Sequence, residues 1–242
     1  MVNVKLVSKI AATLFLGCIL YFVNTEISHA SENPVITKEE MKQQKENFMK
    51  IGIDEKTAEK LTQKVAKGEM VDAQKESEVA KRADQLTVST DNQKKYVEFD
   101  DGSRIMLSVE EDEEESPPIS AFDYATGTVS KLSCTSGSGY RNCRVKARYH
   151  DGIWDVRFEG KVSTAFGGYD SITKINKQAV DAVFYNVSEK KFKITRKTET
   201  KKYAARADYT NQFTHKLGLY TVSRTLTLYA QKDKMFARLN YY

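Results

Sequence analysis

The segment 134–158 constrains the fold of this chain more than any other stretch. Within it Val145, Ala147 and Tyr149 alternate with charged or polar residues, which is the period of two expected of a half-buried strand. Asp151-Gly152 then predicts a type I′ turn with positive φ angles, and apolar residues return as a second strand. The segment is therefore predicted to be a β-hairpin at the centre of a β-domain.

Trp154 lies directly after this turn and is the only tryptophan in the chain. A large indole beside a hairpin turn is expected to bury its apolar rings in the domain interior. The sequence therefore predicts Trp154 as the core anchor of the β-domain.

The C-terminal half continues as short candidate strands separated by turn residues. Besides the opening hairpin, strands are predicted at 126–133, 161–165, 181–187, 191–196, 202–213, 218–229 and 235–241. Turns are predicted at Ser188-Glu189-Lys190, Leu217-Gly218 and Lys232-Asp233, and a loop or short helix within 170–182. This pattern is typical of a sandwich or a barrel, and we favour an antiparallel β-sandwich over residues 117–242.

The first thirty residues have the pattern of an export signal. Lys5 and Lys9 precede the apolar run 10–23, and small residues at −3 and −1 predict cleavage between Ala30 and Ser31. The protein is therefore expected to be secreted by way of a cleavable signal peptide covering residues 1–30.

Two alternatives to cleavage are less favoured. A retained membrane anchor would need roughly 20 apolar residues, and the run is shorter. Lipidation at Cys18 would need polar residues after the cysteine, and apolar residues follow it instead.

Residues 31–70 have the pattern of a small helical hairpin. Thr37 and Glu40 form a capping box at the start of the first helix, and Asp54 can cap the second. Gly52 ends the first helix, because glycine adopts the left-handed conformation without strain. The two helices are expected to pack mainly on each other, with docking on the β-domain or on a partner as the alternative.

Residues 71–116 are predicted to join the two parts. The stretch 71–92 is charged and is expected to be flexible or weakly helical, and 96–109 is predicted to be a β-hairpin around Asp101-Gly102. The acidic run 110–115 and the prolines after it predict a linker that ends the connector. Calcium binding by this run is disfavoured, because the pattern of an EF-hand loop is missing.

Cys134 and Cys143 are the two cysteines that remain after cleavage. An even pair in an exported chain predicts a disulfide, which would close a loop of about ten residues and stabilise the fold by roughly 2.5 kcal/mol. A metal site is disfavoured because no further ligands lie nearby in sequence, so no metal or cofactor is expected.

The sequence contains few of the residues that catalysis requires. His150 and His215 are the histidines outside the signal, and both are expected on polar surfaces. Neither a Gly-x-Ser-x-Gly nor a His-Glu-x-x-His motif occurs. A hydrolase would need a concealed group of carboxylates, for example Asp155, Glu159 and Asp170.

Two stretches supply candidate binding residues. Phe166-Gly167-Gly168 leads into Tyr169 and Asp170, which are candidates for a ligand-binding loop. A basic stretch adds Lys191, Lys193, Arg196, Lys197, Lys201 and Lys202. The expected partners are an anionic cell-wall polymer, a membrane surface or a protein. Specific nucleic-acid binding is not expected from a mildly basic chain, and solvated strand faces are the alternative for all these residues.

Four short stretches resemble small secreted proteins of Gram-positive bacteria, Bacillus and its relatives. They are GIDE (52–55), YVEFDDG (96–102), DGIWDVRF (151–158) and GYDSI (168–172). The resemblance implies export across one membrane and a C-terminal β-domain of unassigned function, and it carries no catalytic residues with it.

These features together predict a secreted, non-enzymatic protein whose β-sandwich binds a cell-surface component or a protein partner. The alternatives are a secreted antimicrobial or toxin-like protein that acts on membranes, and an extracellular hydrolase.

Overall fold

A computed structural model describes residues 35–111 and 133–241, which belong to one compact unit, Pro34–Tyr242 by its bounds. Its helices are α1 (Lys38–Lys50), α2 (Glu55–Ala66) and α3 (Glu76–Ala80), with 3₁₀ turns at Asp72–Gln74 and Ala83–Gln85. Its strands are β1 (Thr87–Ser89), β2 (Lys94–Glu98), β3 (Arg104–Glu111), β4 (Cys134–Gly137), β5 (Tyr140–His150), β6 (Trp154–Ala165), β7 (Ser171–Ala182), β8 (Tyr185–Arg196), β9 (Ala205–His215), β10 (Thr221–Gln231) and β11 (Lys234–Tyr241).

The strands form two antiparallel sheets. The first sheet has the order β1-β11-β10-β9-β8, and the second has the order β2-β3-β5-β6-β7, with β4 also pairing with β5. A single hydrophobic core contains residues from strands of both sheets. The prediction of a mainly β fold with an antiparallel sandwich and N-terminal helices is confirmed.

Trp154 is fully buried, as predicted for the core anchor. Its indole stacks on Phe213 of the first sheet with ring centroids 4.3 Å apart, and Tyr185 meets its edge at 5.3 Å. Since Trp154 belongs to the second sheet and Phe213 to the first, this aromatic contact joins the two layers.

The hairpin turn at 151–153 differs from the predicted type I′ turn. Of its residues, Gly152 has a positive φ of 83° and Asp151 does not. The Asp151 carboxylate instead accepts the backbone N–H groups of Ile153 and Trp154 at 2.8 and 2.7 Å, which closes a three-residue loop. The side chain of Asp151 therefore sets the turn type.

The helical hairpin docks on this turn rather than packing only on itself. The Gln44 side chain of α1 donates a hydrogen bond to the carbonyl oxygen of Gly152 at 2.5 Å, and both residues are buried. A Cβ atom on Gly152 would lie 2.2 Å from the Phe48 ring, so only glycine permits this approach. The predicted caps at Thr37 and Asp54 are both present.

The connector is more ordered than predicted. Its apolar side chains are buried: Val71, Ala73, Val79, Leu86 and Val88. Strand β1 pairs with β11, and the predicted hairpin, seen as β2 and β3, joins the second sheet through β5. The sandwich therefore begins before residue 117, on the N-terminal side of the predicted linker. Most of that linker and most of the predicted strand 126–133 lie outside the described residues.

Three local predictions in the C-terminal half are wrong. The predicted strand 181–187 is interrupted at 183–184, where a bend joins β7 to β8. The predicted turn at Ser188-Glu189-Lys190 is part of β8, where a bulge between Glu189 and Lys191 accommodates the polar cluster. The segment 171–182 is strand β7 rather than a loop or helix. The turns at Leu217-Gly218 and Lys232-Asp233 are confirmed, and Lys232 and Asp233 both have positive φ angles.

Candidate binding surface

Four connections meet at the end of the sandwich away from the helices. They comprise residues 137–140, 166–170, 197–204 and 232–233, and we call this surface the loop end. The Phe166 N–H donates to the Gly139 carbonyl at 3.0 Å, and the Ile172 N–H donates to the Lys197 carbonyl at 2.9 Å. The connections are therefore held against one another by hydrogen bonds.

Asp170 and Glu199 lie beneath the loop end and fix its geometry. The Asp170 carboxylate accepts the N–H groups of Ala165 at 3.1 Å and of Asp233 at 2.8 Å. The Glu199 carboxylate accepts those of Asp170 at 3.0 Å and of Lys232 at 3.3 Å. Burial, together with the nearby negative charge of Glu199, raises the pKa of Asp170 above its usual value.

Asp170 is consequently unsuitable as the ligand contact that its sequence position predicted. Its side chain is fully buried and its oxygens are occupied by backbone donors from two connections. The carboxylate instead fixes the backbone of the loop on which the side chain of Tyr169 is exposed to solvent.

Four aromatic rings project from the loop end. The residues are Tyr140, Phe166, Tyr169 and Tyr203, with exposed fractions of 46, 63, 51 and 49%. The Arg196 guanidinium lies 4.8 Å from the Tyr203 ring centroid and the Lys202 ammonium lies 5.2 Å from it. Four half-exposed aromatic rings provide a surface that is suited to contact with another molecule.

Exposed lysines lie on two of the same connections, 197–204 and 232–233. They are Lys197, Lys201, Lys202 and Lys232. None of the four makes a salt bridge with any residue in the ranges 35–111 and 133–241. The loop end thus combines ammonium groups that lack a counter-ion among the described residues with aromatic faces, a pairing that favours anionic ligands.

The remaining predicted basic residues have other roles or positions. Lys191 donates to the buried carboxylate of Asp208 at 2.6 Å, and Arg206 donates to the same group at 2.7 Å. Burial raises the pKa of Asp208, but these hydrogen bonds lower it by more. The pKa of Asp208 therefore lies below its usual value. Lys193 is exposed on edge strand β8, and Arg196 donates to the Ala204 carbonyl at 2.9 Å.

The structure therefore brings Tyr169, Lys197, Lys201 and Lys202 together and separates them from Lys191 and Lys193. Tyr140 and Lys232 join this surface although the sequence did not single them out. Each lies in or beside a tight turn with a positive φ angle, at Gly139 and at Lys232-Asp233. Turn residues at the strand ends are thus the sequence signal that could have identified Tyr140 and Lys232.

A cleft of about 640 Å³ lies at the opposite end, between α1 and the outer face of the second sheet. His150 lines it but is only 5% exposed, in contrast to the predicted polar surface position. Burial lowers the pKa of His150 to about 4, and its Nδ1 accepts the Gly152 N–H at 3.0 Å. The imidazole is therefore neutral at physiological pH. His215 is fully buried, and its Nε2 is bonded to the Val65 carbonyl at 3.1 Å.

The carboxylates of the cleft are held in ion pairs. Asp155 receives two hydrogen bonds from Arg148, at 2.7 and 2.6 Å, and a third from Arg157 at 3.0 Å. Burial raises the pKa of Asp155, but the charge and hydrogen bonds of Arg148 more than offset this and the net shift is downward. Glu40 is paired with Lys216. No serine, threonine or cysteine lines the cleft among the residues that the structure describes.

Asp155, Glu159 and Asp170, the carboxylates considered for a hydrolase, do not come together in one site. Asp155 is the second residue of β6 and Asp170 follows the far end of that strand, so the two lie about 30 Å apart at roughly 3.3 Å per residue. Glu159 is bonded to Lys177 at 3.0 Å. Each of the three carboxylates therefore has its own structural partner.

Within residues 35–111 and 133–241, no three His, Cys, Asp or Glu side chains are arranged to hold a metal ion. In the same two ranges, no helix has the length and apolar character needed to cross a bilayer. Cys134 and Cys143 face each other on β4 and β5 and form the predicted disulfide.

Comparison with known proteins adds little to this geometry. No protein-family model matches the chain, and no curated protein matches it significantly. Among solved structures it is similar to a hypothetical protein of Listeria monocytogenes, with 17% identity and a TM-score of 0.33. That alignment covers 63% of this chain and 100% of the Listeria chain. Similarity at this level supports no inference about function.

Proposed function

We propose that this protein is an exported, non-enzymatic binding protein whose loop end attaches to an anionic component of a cell surface. The observation that carries the proposal is the coincidence of four half-exposed aromatic rings with four lysines that lack an acidic partner among the described residues. Such a surface is attracted to anions by charge and gains contact area from its rings.

The rigidity of the loop end favours binding. The connections 166–170, 197–204 and 232–233 are joined through Asp170 and Glu199, so their backbones are ordered before a ligand arrives. Binding to an ordered surface avoids much of the entropy cost of fixing loops.

The composition of the rings favours a cell-wall polymer over a bilayer. Three of the four rings belong to tyrosines, whose hydroxyl groups suit contact with sugars or polyols, and Phe166 is the one purely apolar ring among them. Insertion into a bilayer would favour a larger apolar tip. The ligand class that we propose is therefore an anionic wall polymer.

Export is the second part of the proposal. It is supported by the signal pattern before Ser31, and the disulfide between Cys134 and Cys143 is compatible with an oxidising compartment. Mass spectrometry of the protein recovered from culture medium is expected to show Ser31 as the first residue. Recovery of the full chain from the cell pellet alone would contradict export.

The test is cosedimentation of residues 31–242, which include the whole of the compact unit, with purified Gram-positive cell walls. Binding is expected to native walls, and to be lost when anionic polymers are stripped from the walls. The triple variant Lys197→Gln, Lys201→Gln, Lys202→Gln is expected to bind at least tenfold more weakly, because three of the four lysine charges of the loop end are removed.

The matched control removes three charges from helix α2 and its C-cap instead, through Lys56→Gln, Lys60→Gln and Lys67→Gln. This variant is expected to bind within twofold of the wild type. Equal losses in the two variants would mean that net charge alone drives binding, and would overturn the assignment to the loop end. Binding to anionic vesicles but not to walls would favour the membrane-active alternative.

A further inference from the structure

One side of helix α1 forms a wall of the cleft of about 640 Å³. Glu40, Gln43, Asn47 and Lys50 line it, and their spacing of three or four positions places them along the same side of the helix. The Lys50 ammonium donates to the Asn47 side chain at 3.0 Å and makes no salt bridge within the described parts of the chain. The last residue of α1 therefore brings a positive charge to one end of the cleft.

The floor of the cleft is a row of three residues on adjacent strands. His150 on β5 lies directly opposite Asp155 on β6, which lies directly opposite Asp181 on β7, and all three line the cleft. Neighbouring strands are about 4.8 Å apart, so the row extends for roughly 10 Å. The cleft is thus long enough for a ligand that contacts both ends of this row.

His150 supplies a hydrogen-bond donor at one end of the row. Its Nδ1 accepts the Gly152 N–H at 3.0 Å, so the neutral imidazole carries its proton on Nε2. The residue is 95% buried, and Nε2 bonds to no acceptor in the ranges 35–111 and 133–241. Nε2 is nevertheless not enclosed by protein atoms, so its N–H is open to the cleft. A ligand oxygen could therefore accept a hydrogen bond from a ring whose tautomer is already fixed.

Lys50 and His150 together form a site for a single negative charge. Burial lowers the pKa of His150, and the nearby positive charge of Lys50 contributes in the same direction. The Asp155 carboxylate beside His150 receives hydrogen bonds from Arg148 and Arg157, but it would still repel a doubly charged phosphate more strongly than a carboxylate. The donors at this end of the cleft therefore suit a carboxylate.

Asp181 supplies an acceptor at the other end of the row. Its side chain is 66% exposed, and its Oδ2 accepts a hydrogen bond from Arg157 at 2.6 Å. Its Oδ1 accepts none from any residue that the structure describes. This oxygen is open to a ligand ammonium group, so the two ends of the row complement opposite charges about 10 Å apart.

We propose that the cleft binds a short extended peptide, with the C-terminal carboxylate of the peptide at His150 and Lys50 and its N-terminal ammonium at Asp181. An extended chain spans about 3.3–3.6 Å per residue, so three residues match the length of the row. Gln43 and Asn47 lie along the helix wall, where their amide groups can exchange hydrogen bonds with the peptide backbone. The cleft and the loop end are at opposite ends of the sandwich, and this proposal does not depend on wall attachment.

Isothermal titration calorimetry of residues 31–242 with trialanine tests the proposal. The C-terminally amidated tripeptide is expected to bind about tenfold more weakly than trialanine, because it offers no carboxylate to Lys50 and His150. N-acetylated trialanine is expected to bind about fivefold more weakly, because it offers no ammonium to Asp181. Free alanine is expected to bind at least about tenfold more weakly, since it is too short to contact both ends of the row. Absence of trialanine binding, or binding of alanine as tight as that of trialanine, would overturn the proposal.

The substitution Lys50→Gln is expected to weaken trialanine binding about fivefold and to leave binding of the amidated peptide nearly unchanged, because the lost charge faces the carboxylate. The matched control Lys42→Gln changes an exposed lysine of the same helix that is not part of the cleft lining, and is expected to bind both peptides like the wild type. Equal losses in the two variants, or an equal loss for both peptides in Lys50→Gln, would contradict the carboxylate site.

Nuclear magnetic resonance of the histidine side chains tests the contact with His150 directly. Saturating trialanine is expected to shift the Nε2 resonance of His150 and to leave that of His215 unchanged, because Nε2 of His215 is bonded to the Val65 carbonyl. A bound peptide that leaves the His150 resonance unmoved would show that it occupies another site. The wall-binding experiment has a separate outcome, since its variants change lysines of the loop end.

Discussion

The backbone N–H of Asp170 donates to the Glu199 carboxylate at 3.0 Å, and the N–H of Glu199 donates to the Asp170 carbonyl oxygen at 2.7 Å. This reciprocal pair joins the connection after β6 to the connection after β8. The Asp170 carboxylate also reaches the turn after β10. Two buried acidic residues thus organise the surface that we assign to binding.

Replacing Asp170 by Asn is expected to lower the free energy of unfolding by about 2 kcal/mol, because one of two backbone N–H groups loses its acceptor. Urea denaturation followed by tryptophan fluorescence measures this change. The control Asp233→Asn keeps a residue type that tolerates positive φ at an exposed turn, and is expected to change stability by less than about 0.5 kcal/mol. Equal effects of the two substitutions would contradict the organising role of Asp170.

Asp208 supports the outer face of the first sheet. Its carboxylate accepts hydrogen bonds from Lys191, Arg206 and Thr227 while being almost fully buried. The substitution Asp208→Asn is expected to destabilise the protein by about 3 kcal/mol, since it removes a buried negative charge that is bonded to two cations. The control is Glu189→Gln on neighbouring β8, an exposed residue whose change is expected to have almost no effect on the urea midpoint.

Adjacent buried residues in the central hairpin give opposite pH dependences. The pKa of His150 is lowered by burial from 6.5 to about 4, so the folded state loses stability as the pH falls from 6.5 towards 4. The pKa of Asp151 is raised by burial from 3.8 to about 6, so its contribution is present at low pH and is lost as the pH rises to 6. Between pH 4 and pH 6 the two contributions to the pH dependence of the free energy of unfolding therefore nearly cancel.

Single substitutions should separate the pH dependence due to His150 from that due to Asp151. In Asp151→Asn the free energy of unfolding is expected to fall by about 3 kcal/mol between pH 6.5 and pH 4, because only the histidine contribution remains. In His150→Gln the free energy of unfolding is expected to rise as the pH falls from 6 to 4. Urea titrations at several pH values provide the measurement, and parallel curves for both variants would show that neither residue titrates as its burial implies.

The disulfide is expected to contribute roughly 2.5 kcal/mol to stability without being needed for the fold, because it closes a loop of about ten residues. The double variant Cys134→Ala, Cys143→Ala should lower the urea midpoint and leave the circular-dichroism spectrum unchanged. A single urea transition with unchanged stability would show that β4–β5 pairing holds this hairpin equally well without the disulfide.

Local chemistry in the sequence was enough to predict several elements. The capping box at Thr37 and the turn at Lys232-Asp233 depend on residues within a few positions of one another, and both are present. The alternation around Tyr149 and the burial of Trp154 follow from the period of a half-buried strand. These features require no knowledge of distant partners.

Features that depend on distant partners were not predicted. The buried residues of 71–92 have irregular spacing, and only the sheets that they cover explain their burial. His150 is buried because α1 lies over the outer face of its strand, a contact between residues about a hundred positions apart in the chain. The opposition of Arg144 on β5, Lys161 on β6 and Lys174 on β7 likewise depends on strand register, which no single segment of sequence reveals.

The most direct test of wall attachment through the loop end is hydrogen–deuterium exchange of residues 31–242 with and without bound native cell walls. We predict slower exchange confined to the connections 137–140, 166–170 and 197–204 on binding, with unchanged exchange in α1 and α2. Protection centred on the helices or on the cleft beneath α1, with these three connections unaffected, would contradict the account.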